Sequence, residues 1–427
     1  MNATVATALR PGPAAALGAS PNAVRFVRSF SILSFAYPLL WLVGLGGFYW
    51  VLVGVLAFLY LIRRGPVAAA LPAIGVLGAL VFSLPIGVLA FGLDFGRVAS
   101  LGGNLLVWLS IAALITVSQE IDLDVLLRRI VLVIGTAQGA VVTAAIVAYP
   151  SSLPIPLLQG IAGRLPSGLG AFAQNRLYSI DWLGEATFRS AGMMAQPTWA
   201  GVFGAVTCIV AVSLLTERGW WRVLAVAGVA AGTLSVVLSL SRSTQLALGA
   251  AVLIGILVMV GARNRMAFYT LAIVAAIGAV IVVLLFNEQI LEMVKEINGQ
   301  REGSLETRSD IYARTWELVR QLPVPILGYG IKPQEEGLVA SVATHSAYLG
   351  ILFRAGILGA IALFWLLINA LVRSLRSWDG YAVAIAVLVL IWCTLEDFDP
   401  GHLLPLAVVL VYARTWGSRP RPVGGSR

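Results

Sequence analysis

Residues 344–359 read Thr-His-Ser-Ala-Tyr-Leu-Gly-Ile-Leu-Phe-Arg-Ala-Gly-Ile-Leu-Gly, and they mark where a long polar excursion, 287–344, returns to an apolar chain. Almost everything else is a run of apolar residues or a short turn. The 427 residues are 59% hydrophobic and only 11% charged, where a soluble domain carries roughly 25% charged residues. Apolar runs of about 20 residues, bounded by Arg or Gly/Pro, predict helices that cross a bilayer. The alternating pattern of outer-membrane strands is absent. The fold class expected is therefore an all-α polytopic membrane protein.

Working outward from that stretch, residues 1–29 read as a cytoplasmic tail and 30–414 as the transmembrane domain. Residues 415–427 form a second cytoplasmic tail. Phe30–Ile62 is too long for one ordinary span, and Gly44–Gly47 offers a turn, so two spans are expected there. Further spans are expected from about Val67 to Leu84, up to Ser118, and on to Tyr149. A second polar, Pro/Gly-rich excursion follows at 150–189. The sixth span is expected from about Ala191, with a kink at Pro197, and Glu120–Arg129 as an amphipathic piece before the fifth.

The count reaches about twelve transmembrane helices, with the large outer loop between spans nine and ten. The alternation tests itself. Arg63-Arg64, Arg128-Arg129, Arg218 and Arg222, Arg263 and Arg265, Arg373 and Arg376, and the C-terminal arginines all fall on the side of Arg28, as the positive-inside pattern requires. That pattern accounts for the net charge of +9 and argues against nucleic acid as a partner. Cys208 and Cys393 fall inside predicted spans and read as packing residues.

Arg189, Arg242, Arg308 and His345 land on the other side, near the membrane boundary, where the orientation rule does not explain them. Arg242 stands in the very short turn Ser241-Arg242-Ser243 between two spans. A guanidinium there suits the oxygens of a phosphate, or else snorkels to lipid headgroups. Arg189 precedes Gly192 and Pro197, in a segment that could line a cavity. Thr307-Arg308-Ser309-Asp310 has the look of a helix start, with Thr307 as the cap, and Asp310 pairs in that reading with Arg314. Arg308 then has Tyr312 as its helical neighbour and is left for a ligand. His345 could take a proton from a sugar hydroxyl. His402, after Asp399-Pro400-Gly401, reads as a turn residue, and Glu396, Asp397 and Asp399 as a solvated hairpin rather than a cation site.

No phosphate-binding Gly-Lys-Ser/Thr loop, metal-ligand His/Cys cluster, Gly-x-Ser-x-Gly or Asp-x-Asp pair is present, so the expected site holds no metal and no cofactor. Four segments in order resemble the O-antigen ligase and polymerase superfamily, membrane glycosyltransferases of the C-type group. They are Arg189…Gly192…Pro197, Ser241-Arg242-Ser243, Arg308…Tyr312/Trp316…Pro325-Ile326-Leu327-Gly328-Tyr329-Gly330, and His345-Ser346…Leu349…Gly356-Ile357-Leu358-Gly359. Two positions depart from the family pattern: Ser346 stands where Asn is usual, and Tyr312 where Trp is common.

The resemblance implies a twelve-span enzyme in the bacterial inner membrane with both termini cytoplasmic. It implies transfer of a glycan from an undecaprenyl-diphosphate carrier to the hydroxyl of an acceptor glycan, glycolipid or protein on the outer face. Arg189 and Arg242 would hold the diphosphate, Arg308 with Tyr312 would help hold diphosphate or glycan, and His345 would assist deprotonation. The rival class is a secondary transporter or lipid-linked glycan flippase. It would call for an internal repeat, and none is evident.

Overall fold

The structure is a computed structural model that describes residues 19–148, 189–274, 277–278, 302–321, 326–333, 338, 341–398 and 400–417. The bulk of the loop at 150–189, residues 287–301, the end of the ninth expected span at Phe286, Asp399 and the arginines beyond 417 lie outside the described residues. Among those described, the chain is helical and forms no strand. The helices are α1 (Pro21–Phe35), α2 (Tyr37–Leu42), α3 (Tyr49–Arg64), α4 (Leu71–Phe91), α5 (Phe95–Val117) and α6 (Asp124–Ala148). Then come α7 (Pro197–Leu214), α8 (Trp220–Leu238), α9 (Arg242–Arg263) and α10 (Arg265–Val274). The last are α11 (Glu302–Gln321), α12 (Ala347–Arg376), α13 (Gly380–Trp392) and α14 (Leu404–Gly417).

Eight of the described helical stretches are long and apolar enough to cross a membrane: those built on α3 to α9, and α12. The apolar helices α10, α13 and α14 are shorter. Helix α1 already starts at Pro21, capped by Ser20, whose Oγ accepts the Ala23 N–H. The amphipathic piece expected at Glu120–Arg129 is instead a turn followed by the first turns of α6.

Small residues let the helices approach closely, as in membrane bundles generally. A Cβ at Gly204 of α7 would stand 2.8 Å from the Gly232 carbonyl of α8, and one at Gly255 of α9 would stand 2.7 Å from the Gly380 carbonyl of α13. That second pair also sets a register. Gly255 lies against Gly380 and Ala384, while Gly380 lies against Met259, so α9 and α13 run antiparallel. Continued along both helices, this register brings the first turn of α9 level with the Glu396–Asp397 turn that follows α13.

The charged residues divide between the two ends of the bundle. At one end Arg64 pairs with Glu120 at 2.7 Å, Arg128 with Asp124 at 2.8 Å and Arg129 with Glu217 at 3.9 Å. Arg414 meets Asp379 at 2.5 Å and Asp124 at 3.6 Å. Arg129 also stacks over Trp221, and Arg373 over Trp416. Residues drawn from the ends of α3, α6, α7, α13 and α14 thus meet there, as the alternation read from the sequence requires. The starts of α7, α9, α12 and α14 all lie at the opposite end.

Helix α12 is not continuous. Gly356 has φ 64° and ψ −166°, which breaks the helix and which a residue with a Cβ rarely adopts. Residues 326–331 fill the break. The N–H groups of Tyr329 and Gly330 donate to the carbonyls of Phe353 (2.9 Å) and Arg354 (2.7 Å), and the Leu358 N–H reaches the Ile326 carbonyl at 3.4 Å. Two carbonyls and one N–H freed by the break thereby find partners, as a membrane interior demands. On its other side the inserted segment packs on α4, where the Ser83 hydroxyl donates to the Leu327 carbonyl and Gly87 leaves room for the Tyr329 carbonyl. The Ile326…Gly330 and Gly356…Gly359 segments are therefore two halves of one joint.

Candidate functional site

Helix α11 begins at Glu302, five residues before the cap expected at Thr307, so Thr307 lies inside the helix. The helix ends at Gln321, just ahead of Pro323 and Pro325. Arg314 pairs with Glu317 at 2.8 Å in place of the expected partner Asp310. The inward face carries Ile311, Thr315 and Leu318, while Trp316 is 45% exposed.

That inward face grips the turn before α12 at two points. The Ala343 N–H donates to Thr315 Oγ1 at 2.9 Å, and the Tyr312 hydroxyl donates to the His345 carbonyl at 2.5 Å. Ala343 and His345 both have left-handed backbone, φ 61° and 62°. For residues other than glycine this is strained, by about 1–3 kcal/mol each, and such strain gathers where function fixes a side chain. Ser346 is the N-cap of α12, its Oγ accepting the Leu349 N–H at 3.3 Å. Serine caps as well as asparagine does, so the departure from the family pattern at this position costs the turn nothing. The Ala347 N–H donates to the Cys393 carbonyl at 2.9 Å, which pins the turn to the end of α13.

The turn after α13 corrects the sequence reading most. Glu396 and Asp397 were expected in a solvated hairpin, yet they are only 4% and 7% exposed. Glu396 is shared: Arg308 Nη2 stands 3.3 Å from its Oε1 and His345 Nδ1 3.5 Å from its Oε2. Asp397 takes the Lys332 ammonium and Arg354 Nη2, the latter at 3.2 Å. Burial pushes the Glu396 carboxyl up, but the His345 imidazole, the Arg308 guanidinium and the Trp199 indole outweigh it and hold the group below the usual range. Burial acts the same way on Asp397, and the charges of Lys332 and Arg354 with the Phe398 N–H outweigh it and hold the group below its ordinary range.

Arg354, 3% exposed in the span expected to be apolar, and Lys332 are residues the sequence reading passed over. A signal was there for Arg354, since a charge well inside an apolar run calls for a counter-charge. Lys332 is delivered by the segment inserted at the α12 break, and its carbonyl accepts from Arg97 Nη1 at 2.8 Å. His402 is 1% exposed, with Nε2 2.7 Å from the Asp397 carbonyl and its ring packed edge-on against Trp199 and Trp392.

Arg189 and Arg242 come together in a second group at the same end. The Ser190 N–H donates to the Leu238 carbonyl at 3.0 Å and Arg189 Nε to the Ser239 carbonyl at 3.2 Å. Ser239 begins the turn that leads through Leu240, φ 48°, to Ser241, the N-cap of α9, and Arg242, its first residue. Pro197, expected to kink a span, is instead the first residue of α7, where its missing N–H costs nothing. The first turns of α7 join the two groups: Trp199 packs on His402 beside Glu396, and Gly201 lies against Ser239 and Thr244.

Five of the residues singled out from the sequence are thus at one end of the bundle. Arg308, Tyr312 and His345 are in direct contact or share one carboxylate, and Arg189 and Arg242 share one turn. The starts of α7, α9 and α12 add the partial positive charge of helix N-termini. Among the described residues no group of three His, Cys, Asp or Glu side chains is arranged to hold a metal ion. The arrangement suits an anion near a histidine that a carboxylate can orient.

The fold and this cluster define a polytopic helical membrane protein with a cation-rich site at one end of its bundle. Residues 227–364, about a third of the chain, match the family model described as O-antigen ligase. The match spans Arg242, Arg308, Tyr312 and His345, and it agrees with the resemblance read from the sequence. No curated protein matches the chain.

Proposed function

We propose that this protein transfers a glycan from an undecaprenyl-diphosphate carrier to an acceptor hydroxyl at the outer face of the bacterial inner membrane. It does so as a twelve-span enzyme with both termini in the cytoplasm. The observation that carries the reading is that Arg308 and His345 meet on the two oxygens of Glu396, at the same end as Arg189 and Arg242. A cation and a proton acceptor, far apart in the chain, are brought together there.

In the reaction the acceptor oxygen forms a bond to the anomeric carbon of the donor and gives its proton to His345. The bond from that carbon to the carrier diphosphate breaks, and the diphosphate leaves with the electron pair. Arg189, Arg242 and Arg308 meet the charge that develops on it, which is where preorganised cations accelerate such a step. Tyr312 holds the His345 backbone rather than the substrate. The reaction needs no metal in this reading, because the arginines supply the positive charge.

The test uses the purified chain in a bilayer disc with a lipid-diphosphate oligosaccharide and a glycan or glycolipid acceptor. Glycan transfer with release of carrier diphosphate is expected. Arg242→Ala and His345→Ala are expected to lower the rate by at least about 100-fold with the fold intact. Full activity in both variants would refute the assignment of these residues. Passage of the intact lipid-linked glycan across a bilayer without transfer would point to a flippase instead.

A further inference from the structure

Glu396 has no role in the chemistry just described, and its surroundings ask for one. It is a nearly buried carboxylate that a membrane protein keeps at a cost. Arg308 and His345 face it, Tyr312 reaches it through the His345 carbonyl, and the Trp199 indole lies beside it. Its neighbour Asp397 is already taken by Lys332 and Arg354, so Glu396 is left to Arg308 and His345.

His345 Nδ1 is buried and makes no hydrogen bond among the described residues. The nearest acid is Glu396 Oε2 at 3.5 Å, long for a hydrogen bond of about 2.7–3.2 Å. Such contacts tighten when substrate closes a site. The His345 backbone is held by Tyr312 and by the Ser346 cap, so a small rotation of either side chain closes the gap without moving the chain.

We infer that Glu396 is the positioning residue for His345. Its carboxylate accepts the Nδ1–H and so leaves Nε2 as the nitrogen that takes the acceptor proton. When that proton arrives, the imidazolium keeps both N–H groups, and the charge on its Nδ1 side stands against Glu396. The same carboxylate occupies Arg308 while the donor is absent. The inference rests on the glycan-transfer reading for its catalytic consequence, but the His345–Glu396 link stands apart from it.

The experiment has two arms, both on the full chain in bilayer discs. In the first, kcat and KM for the lipid-diphosphate donor are measured for wild type, Glu396→Gln, His345→Ala and the double variant. Glu396→Gln is expected to lower kcat by about 10²–10⁴-fold without raising the donor KM. The double variant is expected to be no slower than His345→Ala alone. A merely structural carboxylate would instead raise KM or give losses that multiply, and either result would overturn the inference.

The second arm needs no substrate. The chain has two histidines, and His402 is buried, so acylation by diethylpyrocarbonate at pH 8, read by peptide mass spectrometry, reports on His345. Its rate is expected to fall several-fold in Glu396→Gln, because the free nitrogen loses the electron push of the carboxylate. An unchanged rate overturns the link. A wild-type protein that transfers no glycan while the acylation rate still falls would sink the proposed function and keep the His345–Glu396 pair.

Discussion

His345 is fixed by more than its own backbone would choose. Its left-handed φ is unfavourable for a residue with a side chain, and the Tyr312 hydroxyl on its carbonyl is what holds it there. Tyr312→Phe is therefore expected to cost about 1–2 kcal/mol in stability, since it leaves that carbonyl without its partner. It should also lower kcat about tenfold as the imidazole loosens, with donor KM nearly unchanged. Thermal unfolding and steady-state rates on the same preparation check this, and a Phe variant with wild-type kcat would show that the phenol does not set the imidazole. The sequence singled out both residues, but the holding role it gave Tyr312 came from the resemblance, and a bond to the backbone of a residue 33 positions away leaves no mark in spacing. Glu396 and Asp397 were misjudged for a related reason. Acids beside Pro and Gly look like a solvated turn until their partners are known, and those partners come from α11, the α12 break and α12 itself.

At the scale of elements, the joint between residues 326–331 and the break in α12 sets where Lys332 and Arg354 lie. Gly356 has a backbone conformation reserved for glycine, and an added Cβ would run into the Ile326 carbonyl. Gly356→Ala is expected to lose about 1–3 kcal/mol from the backbone alone. The inserted segment should be displaced as well, which would free Lys332 from Asp397. Hydrogen exchange at Tyr329 and Gly330, whose N–H groups close the break, should speed up sharply in the variant and stay slow in wild type. Unchanged protection at these two amides would mean that the joint does not depend on the glycine. The two glycine-rich motifs were legible in the sequence as separate segments. Their docking was not, because a helix break shows no signature in hydropathy, and α12 reads as one apolar run from end to end.

For the whole molecule, the alternation of arginine pairs along the chain foretold which charges share an end of the bundle, because burial of apolar surface fixes the helices and the orientation rule fixes the charges between them. What that pattern could not foretell is that the site's own carboxylates balance several of its cations. This has a consequence for acid stability. The Glu396 and Asp397 carboxyls are held below their ordinary values, which are about 4.3 and 3.9 in an unfolded chain. A carboxyl lowered in the folded state contributes stability that is fully present above the unfolded value and is lost as pH falls through the folded one. Thermal stability in bilayer discs should thus be level from about pH 7 to 5 and decline below about pH 4 as these two groups bind protons. Trp199 and Trp392, packed on His402 beside them, make tryptophan emission a suitable probe. Asp397→Asn should lower stability at neutral pH by about 3–5 kcal/mol, because it leaves Lys332 and Arg354 without their counter-charge, and should flatten the decline in acid. If stability instead falls between about pH 5 and 7, with Asp397→Asn losing as much there as wild type, the charges that hold this end together lie outside the Glu396–Asp397 turn.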